Sequence, residues 1–176
     1  MPRSTGSGGA RIELTGREET LSFLADAVDR TEDKRGLFDA MGASLVLSTQ
    51  QRFEREEDPE GNPWPDSLRK LVEGGRTLTM TARLASSITH EATERSVAVG
   101  TNLIYAAIHQ TGGTIRAKSS KGLRFRSPGN GGWVTKQEVT MPRRAFLGLD
   151  RDDEAEIRAL SADWLGAEDG GYDAGR

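Results

Sequence analysis

The chain has 176 residues, a formal net charge of -3 and no cysteine, which excludes disulfides, thiolate metal sites and a cysteine nucleophile. Leu, Ile, Val and Phe make up about a fifth of it, near the level at which strongly charged chains stay unfolded. The small net charge argues instead for one folded domain with a thin core, of a kind that association completes. MPRSTGSGGA lacks the apolar centre of a signal peptide, and no apolar run reaches the roughly 20 residues of a membrane span, so no membrane partner is expected.

In chain order, residues 1–9 are rich in Gly and Ser and read as a flexible N-terminus. ARIEL at 10–14 predicts a short strand. Thr15 and Glu18 then have capping-box spacing ahead of an apolar stripe at Leu21, Leu24, Ala25 and Val28. A long helix is predicted from Arg35 to Glu56, because Leu37, Met41, Leu45, Thr49 and Phe53 recur every four residues, with Phe38 and Val46 on adjoining rows. Gly42 in its middle costs about 1 kcal/mol against alanine, which predicts close approach of another helix. Asp58-Pro59-Glu60-Gly61-Asn62-Pro63 predicts a turn, and Trp64, held extended between two prolines, a cap on the core.

Ser67 to Glu73 predicts a short helix stopped by Gly74-Gly75, and Thr81 is placed to cap another that carries Leu84 and Ile88 on one face. Two strands are expected at Thr89–Thr93 and Ser96–Thr101. A helical turn follows at Tyr105–Gln110, stopped by Gly112-Gly113. Here Gly100 is expected to let the chain turn, Asn102 to cap, and Tyr105 and Ile108 to supply apolar faces. His109 is expected to make a structural hydrogen bond within the monomer, and Gln110 to bond a neighbouring loop. Thr114–Arg126 and Trp133–Met141 read as the arms of a long hairpin around Ser127–Gly132. Asp150 then caps a last helix with Ile157, Leu160 and Trp164 on one side, and residues 166–176 read as a flexible acidic tail. The single domain is expected to span 10–165.

Charge is unevenly spread. Arg116, Lys118, Lys121, Arg124, Arg126, Lys136, Arg143 and Arg144 face one carboxylate, Glu138, whereas acids crowd Asp150 to Asp173. Alternation along the strands puts several of these cations on one face, where with Trp133 they are candidates for contact with a protein partner or, without sequence reading, with DNA phosphates. Aromatic platforms for single strands are sparse, Phe125 and Trp133 being the only ones nearby.

Nothing in the sequence carries catalysis. His90 and His109 have no ligand spacing, and neither a GxSxG elbow nor a phosphate-binding glycine motif is present. No catalytic residue, metal ligand or cofactor is expected.

Five segments, in order, resemble the phage virion morphogenesis family, the tail-completion proteins of Mu-like phages. They are GASLVLSTQQRF (42–53), DPEGNPWP (58–65), LTMTARLASSI (78–88), SVAVGTNLIYAAIHQTGGTI (96–115) and MPRRAFLGLDRDDEAEI (141–157). The family pattern has glycine where Ala82 stands and an aromatic where Thr111 stands, and it reads PARPFLG where this chain reads PRRAFLG. Pro142, Phe146 and Leu147 read as a strand exit that pins the last helix, and the resemblance implies an α+β fold, a small antiparallel sheet packed against two or three helices. It implies a structural virion protein, assembled in the host cytoplasm, that forms a ring of six in the neck around the DNA channel. Its partners would be further copies of itself, the head connector and neck proteins, and the tail tube or tail terminator, with possible non-specific contact with packaged DNA. A tail terminator or head-closure ring is the nearest alternative. A non-specific DNA-binding module is the alternative of another class, and a hydrolase built on His109 the remotest.

Overall fold

The computed structural model describes residues 10–13, 34–129 and 131–169. The expected Thr15–Glu18 capping box, the stripe through Val28 and both chain ends lie outside them. Among the described residues the fold is α+β, with five helices and three small sheets. Two compact units are present. Of the described residues, Ala10, Thr49–Ile88 and Thr101–Gly148 belong to one; residues 11–13, 34–48 and 149–169, with Thr89–Gly100, belong to the other.

The second unit is organised by α1 (Arg35–Arg55) as far as Ser48. Its four-residue spacing does what the sequence predicted, since Leu37, Phe38, Met41 and Leu45 are all buried. β1 (Ala10–Glu13), β2 (Thr89–Ala92) and β3 (Val97–Thr101) form a sheet in the order β1-β3-β2. β2 and β3 pair antiparallel from Thr89 opposite Gly100 to Ala92 opposite Val97. As the central strand, β3 buries Val97, Ala98 and Val99 in succession, where an edge strand would alternate. Gly100 is therefore a strand residue, and the turn expected at it does not occur there.

Gly42 does mark a close approach, but of the sheet and not of a helix. A Cβ at this position would fall 2.4 Å from His90 Cδ2 and 2.8 Å from Val97 Cγ2. The His90 ring has little freedom to yield, because its Nε2 lies 3.0 Å from Asp39 Oδ1. Helix propensity alone would make Gly42→Ala stabilising by about 1 kcal/mol. Overpacking costs about 1–3 kcal/mol, so we expect net destabilisation of about 0–2 kcal/mol in urea unfolding. A stabilised variant would contradict the packing argument.

The last helix, α5 (Arg151–Asp169), starts as predicted at Asp150. Asp153 N donates to Asp150 Oδ1 at 2.8 Å, and Asp150 N donates back to Asp153 Oδ2 at 3.0 Å, a reciprocal cap of the capping-box type. Its buried stripe is Asp153, Ile157 and Ser161, one step round from the expected Ile157, Leu160 and Trp164. The backbone stays helical through Gly166 to Asp169, four residues into the segment expected to be a flexible tail.

In the first unit, the end of α1 presents Phe53 edge-on to Trp64 (centroids 5.3 Å apart) and against Phe146 (5.2 Å). This aromatic cluster is the centre of the core, and Trp64 Nε1 donates to Ala145 O at 2.8 Å. The turn before Trp64 is closed by Asp58, whose Oδ1 accepts from Glu60 N at 3.0 Å and Asn62 N at 2.8 Å. Burial would raise the Asp58 carboxyl, but these bonds and the Arg143 charge hold it below its ordinary range. α2 (Leu68–Glu73) is capped by Ser67 Oγ, which accepts from Lys70 N at 3.1 Å, and ends at Gly74 with φ +77°.

At the start of α3 (Arg83–Ser86) Thr81 Oγ1 accepts from Arg83 N at 3.4 Å, as expected of it, while the residue next to the helix is Ala82, which makes no side-chain bond and lies in the left-handed region, φ +52°. Holding an L-residue there costs about 1–2 kcal/mol, of which glycine's extra chain entropy would cancel about 0.5–1 kcal/mol. Ala82→Gly, the residue of the family pattern, is expected to stabilise by somewhat under 1 kcal/mol, lifting Tm by about 2 °C. An unchanged or lower Tm in calorimetry would show that the conformation is not strained.

Candidate assembly interface

β4 (Gly113–Arg116) pairs antiparallel with β7 (Glu138–Met141), and β5 (Leu123–Arg126) with β6 (Trp133–Lys136). The segment expected as one long basic hairpin is therefore two nested ladders. Ala117 N still donates to Gln137 O at 2.8 Å, but residues 118–122 leave the ladder opposite Gln137. Gly122, at φ +75°, turns the chain back so close to Thr135 that a Cβ would meet its Cγ2 at 2.6 Å. Lys118 and Lys121 are exposed on this excursion.

Register decides which cations share a face. Arg126 sits opposite Trp133 and Arg124 opposite Thr135, so these four project from one side of the β5–β6 ladder, and all four are exposed. The Arg124 guanidinium lies over the Trp133 ring, 4.5 Å from its centroid. Arg126 Nε donates to Gly131 O at 3.2 Å. Leu123, Phe125 and Val134 occupy the other side, partly buried, together with the exposed Lys136. In the β4–β7 ladder Arg116 is paired across the strands with Glu138 at 3.3 Å, and Arg143 lies 4.0 Å from Asp58. The built cationic face is thus Arg124, Arg126 and Trp133.

Arg144 does not belong to it. It is only 4% exposed, and its Nε and Nη2 donate to Pro65 O at 2.7 Å and Asp66 O at 3.1 Å. Burial lowers its guanidinium from the ordinary value, opposed by the Asp66 charge. This is an internal strut that ties β7's exit to the segment after Trp64.

The Asn102–Phe146 framework also reads differently in space. Thr101, not Asn102, takes the capping part: its Oγ1 accepts from Leu103 N at 3.2 Å and lies 2.7 Å from Ser87 Oγ. Asn102 is exposed. In α4 (Ala106–Thr111) the side chain that bonds a neighbouring loop is Gln110, as expected. Its Oε1 accepts from Phe146 N at 3.0 Å and Leu147 N at 3.1 Å, and its Nε2 donates to Leu147 O at 2.7 Å. His109 makes its hydrogen bond within the monomer through the backbone, its O accepting from Arg144 N at 2.7 Å, while its ring stacks edge-on to Tyr105. Its buried Nδ1 has no hydrogen-bond partner among the described residues. Burial first, and the Arg144 charge second, push its pKa down, so the ring is neutral at pH 7.

Gly112 and Gly113 have φ +68° and +137°. A Cβ at Gly112 would lie 2.7 Å from Arg143 N, so this glycine is required both by conformation and by space.

In this α+β chain Arg124, Arg126 and Trp133 are thus exposed together on one side of a two-stranded ladder. The chain is 33% identical over 146 residues to the "Putative capsid assembly protein G" of Escherichia phage Mu, covering 78% of this chain and 83% of that one. It is 31% identical over 146 residues to the Mu-like prophage FluMu G protein 2 of Haemophilus influenzae, covering 83% and 88%. The phage virion morphogenesis family matches residues 13–166. The chain belongs to that family, and its role is a structural or assembly role in the phage. No solved structure matches it.

Proposed function

We propose that this chain is a tail-completion subunit that joins head to tail, forming a ring of six in the neck around the DNA channel. On this reading the domain comprises residues 10–165, with 114–141 as the joining arm. Its partners are further copies of the chain, the head connector and neck proteins, and the tail tube or terminator. The observation that carries it is the exposed Arg124–Arg126–Trp133 face on a ladder stiffened by cross-strand pairing, in a chain of the virion morphogenesis family. A strand pair can extend such a face towards a neighbour, and the charge adds specificity and rate to docking. Lys118, Lys121 and Lys136 enlarge the positive field around it.

The test is complementation of a particle that lacks this gene product. Arg124→Glu/Arg126→Glu is expected to leave folding intact by circular dichroism, because both side chains are exposed. Filled heads and finished tails should accumulate unjoined in electron micrographs. Joined, infectious particles at the normal yield would refute the role given to the arm.

A further inference from the structure

α2 carries no buried residue. Its apolar side chains Leu68, Leu71 and Val72 are 63%, 67% and 55% exposed. At helical spacing i, i+3 and i+4 they form one ridge, held in place by the Ser67 and Gly74 caps. A ridge of aliphatic side chains standing in water marks a surface that a partner covers.

The basic ladder borders this ridge. Gly129, in the β5–β6 turn, donates its N–H to Glu73 Oε1 at 2.7 Å, and a Cβ there would meet Val72 Cγ1 at 2.8 Å. The ladder's tip is therefore seated on the end of α2. An apolar ridge joined through Gly129 to a ladder that carries exposed arginines has the ingredients of a protein interface, an apolar centre and polar surroundings. Duplex DNA would leave the three aliphatic side chains without an apolar counterpart.

The complementary surface lies on α5. Opposite its buried Asp153–Ile157–Ser161 stripe, the exposed residues are Ala155, Ala159 and Ala162, with Asp152, Glu156 and Asp163 along one flank and Arg151 and Arg158 along the other; Arg158 lies 4.0 Å from Glu154. The alanines are short enough for a ridge to approach the helix closely, and the carboxylates of Asp152, Glu156 and Asp163 form the flank that would meet the cations. Spacing agrees as well: Arg124 and Arg126, two residues apart on a strand, are separated by about 7 Å. Asp152 and Glu156, four apart on a helix, are separated by about 6 Å along its axis.

Resting on the ring reading above, we infer that the α2 ridge and the Arg124/Arg126 face of one copy receive the outer face of α5 of a second copy. The two surfaces differ, so the contact is heterologous. Each copy offers one surface to each neighbour, and repetition closes a ring if the rotation allows.

The absence of cysteine makes disulfide trapping clean. Leu71→Cys and Ala159→Cys each place one thiol at an exposed position, and circular dichroism checks that both fold. Oxidising an equimolar mixture is expected to give a cross-linked dimer well above that from either variant alone, or from Leu71→Cys mixed with Ser119→Cys. The doubly substituted chain should give a ladder of covalent oligomers. Arg124→Glu/Arg126→Glu should abolish the cross-link, and adding Asp152→Lys/Glu156→Lys should restore it.

No cross-link above the Ser119 background, in solution or in assembled particles, would overturn the inference. So would a cross-link unchanged by the reversal when the same reversal removes salt-sensitive binding of duplex DNA, since the cations would then serve phosphate. If the reversal blocks head–tail joining while no cross-link ever forms, the joining role stands and the self-contact falls. If the cross-link forms but the reversal leaves joining intact, the self-contact stands and the joining role falls.

Discussion

Phe146→Ala is expected to destabilise the protein by about 3–5 kcal/mol, as full truncations of buried aromatics do. Phe146 has no exposed surface and packs against Phe53 at 5.2 Å between centroids. Phe53 in turn meets Trp64 edge-on, so removing one ring empties a site that two further rings were shaped to enclose. The surroundings have little freedom to collapse into the gap, because the backbone at the site is fixed from two sides. Arg52 Nη1 donates to Phe146 O at 3.3 Å and to Gly148 O at 2.9 Å, and Gln110 holds the amides of 146 and 147. For a chain of this length the loss corresponds to a fall in Tm of about 6–20 °C. Phe146→Leu keeps most of the volume and should cost well under half as much. Thermal and urea unfolding of the two variants check this; equal effects would mean that the cost is not one of cavity formation.

How much of this was legible beforehand depends on how local each feature is. The buried side of α1 was visible because helical packing imposes a four-residue rhythm on Leu37, Met41, Leu45, Thr49 and Phe53, and four-residue rhythms survive in sequence. Asp150 as the start of α5 and Gly74 as the stop of α2 were legible for the same reason, since a cap is settled within a few residues. The pairing of β5 with β6 followed from turn residues between two alternating runs.

What failed was decided at long range. Arg144 stands beside Arg143 in a basic stretch and looked like surface. Its burial is dictated by the Pro65 and Asp66 carbonyls, 79 and 78 residues away. The partner of Gly42 was misjudged because only the fold brings the ring of His90 over that turn of helix. At Thr101 the missed signal was a hydroxyl within reach of both Leu103 N and Ser87 Oγ, easily passed over beside an asparagine, the commoner cap. Of the candidate surface, sequence offered the cations but not their grouping. Register then separated Arg124 and Arg126 from Arg116, which Glu138 engages, and from Arg143, which lies near Asp58. The exposure of Leu68, Leu71 and Val72 could not be read at all, because an apolar triplet at helical spacing looks the same whether it faces a core or a partner.

Replacing Gln110 with leucine should cost about 3 kcal/mol, although the side chains are close in volume. The carboxamide serves the loop as a strand would, accepting from two successive amides and donating to one carbonyl. Leucine leaves three backbone groups without their partner in a partly buried site, and each such loss costs about 1–3 kcal/mol, towards the lower end where water can reach. Glutamate is the informative companion. It can still accept from the amides of Phe146 and Leu147, but it places a negative oxygen against Leu147 O in place of the Nε2 donor. Gln110→Glu should therefore fall between wild type and Gln110→Leu near neutral pH. Lowering the pH should recover part of the loss, because the protonated carboxyl regains a donor. In linkage terms, a carboxyl that donates in the folded state has its pKa raised there, so its contribution is fully present below the unfolded value and is lost as pH rises through the folded value. Urea unfolding of the three proteins at pH 4.5 and 7.5 separates the cases. If Gln110→Leu proves as stable as wild type, the carboxamide is not what fixes the Phe146 segment.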